Sequence, residues 1–173
     1  MSAPLSEQAN TEYFRHVLGH YPTGIVVVTA VGESGQPVGM AVGSFTSVSL
    51  EPPLVAFLPD KSSSSFPLLR EAASFCVNVL SEDQEDLCRQ FARKGIDRFH
   101  GVEWSPAPSG APVLAGSVAW IDCIPQTLHE AGDHFIVIGR VQALVATSDR
   151  RPLLFFRSSY DQLATPEDVD LKQ

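Results

Sequence analysis

The sequence predicts a single, mainly β domain: a barrel or sandwich of about seven short strands with few helices. Three observations lead there. β-Branched and aromatic runs recur along the chain, each bounded by Gly, Pro, Ser or Asp. Only a few short segments carry helical periodicity. The 173 residues, 44% of them apolar, suffice for one packed core and show no repeat or second domain.

The elements follow in order. A helix is expected near Thr11–His20, where Phe14, Val17, Leu18 and Tyr21 recur at i, i+3, i+4 and i+7 before Pro22 stops it. Gly24–Val31 (GIVVVTAV) reads as a strand and Gly32–Gln36 as a turn. The next stretch, PVGMAVGSFTSVSL, reads as one strand crowded with small residues, with Val38, Met40, Val42 and Val48 facing a core. Pro52-Pro53 interrupts it, and Leu54–Leu58 is a further strand. Polar Asp60–Ser65 leads into a short helix at about Pro67–Ala73, and Phe75–Leu80 is a strand. A helix then starts at Ser81, with Gln84 in capping-box spacing and Leu87, Cys88 and Phe91 on its apolar side. Arg93–Gly116 is rich in loops. Ser117–His129 and His134–Ala146 form a hairpin across EAGD, and Leu153–Arg157 is a last strand. The domain is expected over residues 10–164, with polar tails at 1–9 and 165–173.

Composition excludes several functions. A net charge of -8 argues against nucleic acid and against an anionic membrane surface. No apolar run approaches the ~20 residues that span a bilayer, and the first residues show no leader features, so a cytoplasmic protein is expected. Cys76, Cys88 and Cys123 form no CxxC and read as reduced, buried thiols. No GxGxxG, GxxxxGK[ST] or GxSxG occurs. His129 and His134 face each other across the hairpin turn but lack the third ligand a metal site needs.

Other segments could carry chemistry, each with a plain structural alternative. Glycine and serine in Gly39–Leu50 suit either a backbone lying against a flat ligand or a tightly packed, bulged strand. Lys61 and Ser62–Ser65 before a helix suit either a phosphate or a solvated, capped loop. Arg93-Lys94 could clamp a phosphate or face water at a helix end. His134 could point into a cleft or bond Asp133 in the turn.

Taken in order, GMAVGSFTSVSLEPPLVAF, the Ser-rich loop, FCVNVL, FARKGIDRFHG, AGDHFIVIGRV and PLLFFRSSYDQL resemble the flavin reductase-like family, whose members are the reductase components of two-component monooxygenases. The resemblance covers about Phe14 to Leu163. It implies an FMN-binding split barrel, a Greek-key antiparallel barrel of six to seven strands with short flanking helices, usually a homodimer. It implies hydride transfer from NADH or NADPH to FMN or FAD, and delivery of reduced flavin to a separate oxygenase. No side-chain catalyst is implied, because the cofactors carry the electronic work. On this resemblance Met40, Ala41, Val42 and Gly43 run along the isoalloxazine ring, while Thr46 and Ser47 meet the ring and its polyol side. Ser62, Ser63 and Ser64 hold phosphate with Arg93 and Lys94, and Asn78 sits near the flavin. His134, Arg157 and Tyr160 lie on the nicotinamide side. Gly43 departs from the polar residue frequent in the family at that position. Two rival readings are a pyridoxamine-phosphate oxidase-like protein with tightly held FMN and a non-catalytic flavin- or haem-binding module.

Overall fold

The computed structural model describes residues 7–164. Helix α1 (Glu7–Leu18) precedes strands β1 (Thr23–Gly24), β2 (Val26–Val31), β3 (Pro37–Val42), β4 (Phe45–Leu50) and β5 (Pro53–Phe57). Helix α2 (Phe66–Arg70), strand β6 (Phe75–Val79) and helix α3 (Glu85–Ala92) come next. Strands β7 (Trp104–Pro106), β8 (Pro112–Leu114), β9 (Ala119–Ala131), β10 (His134–Ala146), β11 (Leu154–Phe156) and β12 (Ser159–Asp161) complete the chain. The polar tail from Thr165 lies outside the described residues.

Seven strands form one antiparallel sheet in the order β3-β2-β6-β9-β10-β5-β4. Its two edges, β3 and β4, are consecutive in the chain and joined only by Gly43-Ser44. Laid flat, six strand spacings would separate those edges by roughly 29 Å. Three Cα steps from Val42 to Phe45 reach at most ~11 Å. The sheet therefore curls until its edges meet, and they meet without a hydrogen-bonded ladder between them. The result is the expected mainly β split barrel with seven strands.

The sequence patterns explain the two cores. Val26, Val28 and Ala30 of β2 point into the barrel, with Met40, Val42, Phe57, Phe66, Phe75 and Val137. Val27 points outward, under α3, with Ile25, Leu80, Cys88, Phe91, Leu114 and Leu153. A strand covered on both faces reads as an unbroken apolar run, which is why GIVVVTAV lacks alternation. The three cysteines are free and buried, and burial pushes the thiols of Cys76 and Cys123 up to about 12.

Several boundaries differ from expectation. The single strand expected over 37–50 breaks at Gly43-Ser44, where the chain leaves one edge of the barrel for the other. Val48, expected in a core, is exposed because β4 is an edge strand whose outer face has no cover. Helix α3 begins at Glu85 rather than Ser81. Gln84 does reach back to the Ser81 N–H (3.0 Å), but the Ser81 hydroxyl bonds Asp83, so the reciprocal capping box does not form. The β9–β10 hairpin has the expected 13 residues a side, but β9 lies two residues later than expected, and the turn is Gly132-Asp133 alone, with Gly132 at φ 61.

Candidate active site

Edge strand β3 pairs with β2 alone, so its outer side offers unpaired backbone groups. The Gly39 carbonyl on that side accepts a bond from Arg98 Nη1 (2.9 Å). Successive residues of an antiparallel strand alternate sides, so the N–H and C=O of Ala41 face the same open edge. Met40 and Val42 bury their side chains in the barrel, and by the same alternation their backbone N–H and C=O groups face β2, so neither offers a hydrogen-bonding group at the open edge. Gly39 is a packing glycine: a Cβ there would lie 2.6 Å from the Phe91 ring. Gly43 is different. A Cβ there would meet only Thr23 Oγ1, at 3.3 Å, a close contact that the Thr23 hydroxyl has to relieve by a few tenths of an ångström, and the position borders a cleft. That cleft, about 520 Å³, runs between Gly43, Ser44, Thr46 and Leu58 on one wall and Tyr21 and Thr23 on the other. Thr46 and Ser47 are exposed, and the Thr46 hydroxyl donates to the Ser47 carbonyl (3.1 Å).

The serine loop is fixed at both ends. Leu58 donates its N–H to the Ser44 carbonyl (3.1 Å), and Lys61 donates its N–H to the Asp133 carbonyl (2.9 Å). Within the loop, the Ser62 N–H goes to Asp60 Oδ1 (2.6 Å) and the Phe66 N–H to Ser63 Oγ (3.3 Å). The expected row of free N–H donors at a helix start is therefore partly consumed, and α2 is only five residues long. What remains for an anion is the exposed Ser62 and Ser64 together with Lys94, whose Nζ reaches the Ser62 carbonyl (3.5 Å) across 32 residues of chain. The Arg93-Lys94 pair splits. Extended backbone at Arg93 (ψ 144) ends α3 and turns its side chain onto a different cleft, lined also by Arg89, His100 and Tyr160. Arg98 ties the segments together: Nε donates to the Arg93 carbonyl (2.7 Å), and Nη1 donates to the Gly39 carbonyl and to Ser65 Oγ.

His134 sits beside this loop, paired with Asp60 in an antiparallel bridge and bonded through Nδ1 to Asp133 Oδ1 (2.7 Å). Hydrogen bonds from Ser62, then the charges of His134 and Lys94, hold the Asp60 carboxyl below its usual range. The other two residues expected with His134 lie elsewhere. Arg157 occupies the β11–β12 turn at φ 48, its N–H on the Gly19 carbonyl (2.9 Å) and its guanidinium over Phe156. Tyr160 lies under Arg89 (4.7 Å to the ring centroid) with its hydroxyl on Cys88 Sγ (3.3 Å). Burial, with the Cys88 contact, pushes its phenol up to about 12.

Asn78 is a correction. Its side chain is fully buried and committed: Nδ2 bonds Val27 O (3.2 Å), Thr29 Oγ1 (3.0 Å) and Pro112 O (3.3 Å), and Oδ1 accepts from Leu114 N (2.8 Å). It locks β8 against the outside of the barrel and has no group left for a flavin. Among the described residues, no cluster of three His, Cys, Asp or Glu could hold a metal.

The flavin reductase like domain matches residues 18–164. The chain belongs to this family. Among its relatives, a flavin reductase of Pseudomonas putida is 53% identical over 153 residues, covering 88% of this chain and 90% of that protein. The reductase subunit HsaB of a flavin-dependent monooxygenase from Rhodococcus jostii is 43% identical, covering 96% of this chain and 85% of its own. Of solved structures, a homologue of nitrilotriacetate monooxygenase component B from Mycobacterium thermoresistibile superposes with a TM-score of 0.88 at 42% identity, over 94% of this chain and 90% of that one. The Streptomyces globisporus NADH:FAD oxidoreductase SgcE6, solved with NAD and FAD fragments, gives 0.86 at 38% identity, over 96% and 100%. In this flavin reductase-like chain, the β3 edge, the serine loop and Lys94 were candidates from the sequence, and the fold brings them to one side of the barrel. Arg98, which bridges them, was not among the candidates, although FARKGIDRFHG contains it, because nothing local distinguishes a bridging arginine from a solvated one.

Proposed function

We propose that this protein is an NAD(P)H:flavin oxidoreductase that reduces FMN or FAD and passes the reduced flavin to a separate monooxygenase component. The observation that carries the reading is near full-length similarity to proteins named as flavin reductases and monooxygenase reductase subunits. All of these names are reductases or monooxygenase components, so the oxidase-like and non-catalytic readings find no support among them.

The residues fit a flavin. The unpaired β3 edge at Ala41 presents a donor and an acceptor to the ring edge, and Thr46 and Ser47 add hydroxyls. Donors aimed at the ring's pyrimidine side stabilise the negative charge that builds there on reduction. Ser62, Ser64 and Lys94 receive the phosphate, and His134, beside them, meets the nicotinamide nucleotide. A flavin held by these residues would supply the electron sink for hydride from a nicotinamide nucleotide. The protein's part is orientation: holding two rings in contact contributes roughly 7–11 kcal/mol through motion already lost on binding.

A homodimer completes this site. Tyr13, Phe14, Val17, Leu18 and Tyr21 leave the apolar face of α1 exposed, and Leu18 and Tyr21 also line the ring cleft. A second copy covering that face would bury it and close the cleft. No helix among the described residues is long and apolar enough to cross a membrane. The three free, buried cysteines suit a reducing compartment, and we place the protein in the cytoplasm.

The test is anaerobic mixing of the protein with NADH or NADPH and a molar excess of FMN or FAD. Complete bleaching of the flavin colour by catalytic amounts of protein is expected; no bleaching with either nucleotide contradicts the reading.

A further inference from the structure

We propose that this chain binds a small aromatic carboxylic acid in a pocket between α2 and β9, apart from the ring cleft. The pocket holds about 230 Å³ and shares no lining residue with that cleft.

The floor of the pocket is the barrel core itself. Phe57 of β5, Phe66 and Leu69 of α2, Phe75 of β6 and Val137 of β10 line it, and all five are buried. Its rings meet edge to face: the Phe57 centroid lies 6.5 Å from Phe66 at 79° and 5.4 Å from Phe75 at 66°. Ring edges are positive and ring faces negative, so a further aromatic ring extends this arrangement better than an aliphatic chain does. An apolar cavity of about 150 Å³ lined by such side chains stays dry and accepts benzene. The larger volume here takes a ring with one short substituent.

The ladder beside the pocket is irregular. Thr127 pairs with Ile138 and Pro125 with Gly139, so Gln126 is an extra residue of β9 with no partner on β10. A bulge of this kind bends its strand, and Pro125, Gln126 and Thr127 form part of the pocket wall. The Phe75 ring is seated against Gly139, where a Cβ would lie 2.3 Å from its tip, and this seat keeps the ring from swinging across to fill the hollow.

One charge marks the pocket. Arg70, in the last turn of α2, is the only charged residue of the lining among the described residues. No carboxylate pairs with it there. Its guanidinium stands over the Phe135 ring, 5.9 Å from the centroid. Glu130 feels the Arg70 charge but is committed to Lys61 Nζ at 2.8 Å. An unpaired planar fork beside an aromatic pocket matches a carboxylate on a ring, which it can hold through two parallel bonds. Gln126 and Thr127 are exposed and neutral, so they do not repel an anion.

The test is calorimetric titration of the full chain with benzoate, its neutral analogue benzyl alcohol, and acetate, which has no ring. The variants are Arg70→Gln and Thr127→Trp. Both positions are exposed, and tryptophan suits a strand, so each variant keeps its melting temperature. Benzoate should bind one per chain with a Kd below about 1 mM, benzyl alcohol about tenfold more weakly, and acetate not at all. Arg70→Gln should weaken benzoate about tenfold and leave benzyl alcohol unchanged. Thr127→Trp, which blocks the pocket wall, should remove both. Saturating FMN should leave the benzoate Kd unchanged. The absence of saturable benzoate binding overturns the proposal, as does binding that Thr127→Trp leaves intact. Displacement of benzoate by FMN overturns it too and puts the acid in the ring cleft. Equal losses of benzoate and benzyl alcohol in Arg70→Gln overturn the choice of an acid. None of these titrations needs turnover, so failure here and failure of the reductase reading are separate results.

Discussion

Replacing Asn78 with Ala separates a structural asparagine from a flavin ligand. The side chain is fully buried and its two amide hydrogens are shared among three acceptors, while Oδ1 is the acceptor for the Leu114 N–H. Pro112 O keeps a second donor, Thr29 Oγ1, so its loss is small. Leu114 N keeps none. Leaving that buried N–H unsatisfied costs ~1–3 kcal/mol, and losing the two donated bonds costs ~1 kcal/mol each. The sum, about 3–5 kcal/mol, lowers the melting temperature of a domain this size by roughly 6–20 °C. Thermal unfolding should show that fall, while flavin KM and kcat per folded molecule at low temperature stay within about twofold. A normal melting temperature with a flavin KM raised tenfold would refute the reasoning and return Asn78 to the flavin site.

Other outcomes follow from the same geometry. Gly39→Ala forces a methyl against the buried Phe91 ring and should cost about 1–3 kcal/mol, whereas Gly43→Ser meets only Thr23 and should leave stability unchanged while tightening flavin binding; denaturant titration and flavin Kd measure both. Lys94→Ala should weaken FMN and FAD about three- to tenfold with riboflavin unaffected, and Arg93→Ala should do neither, since its side chain faces another cleft. His134→Ala should lower kcat/KM for the nicotinamide nucleotide several-fold to about a hundredfold with little change in flavin Kd; lower stability with normal kinetics would make it a turn residue. Burial raises the thiols of Cys76 and Cys123 from 9.0 to about 12. The folded state therefore favours their protonated form, and the stability this provides is full below pH 9.0 and lost as pH climbs towards about 12. Urea midpoints measured across that window should fall with rising pH, and a flat profile would contradict the burial.

Much of the barrel was legible because its signals are local. The two-sided burial of β2, the Gly132-Asp133 turn and the apolar side of α3 all appear as short patterns in the chain. The break at Gly43-Ser44 was not, since either residue fits within a strand and only closure of the sheet demands a crossing there. The site was legible in part. Lys94 and Ser62 were named, but that they meet across 32 residues, while Arg93 turns away, depends on how α3 ends. Asn78 looked like a site residue because a polar side chain inside an apolar strand invites that reading. Its partners at Leu114 and Pro112 are more than thirty residues away and invisible to local pattern.

The central claim is that this chain moves reducing equivalents from a nicotinamide nucleotide to flavin. Steady-state oxidation of NADH and NADPH, measured with purified protein in the absence of flavin and then with FMN, FAD or riboflavin added, tests it most directly. Nucleotide oxidation that appears only when flavin is present, and saturates with it, is the predicted result. No flavin-dependent rate with either nucleotide would contradict the account.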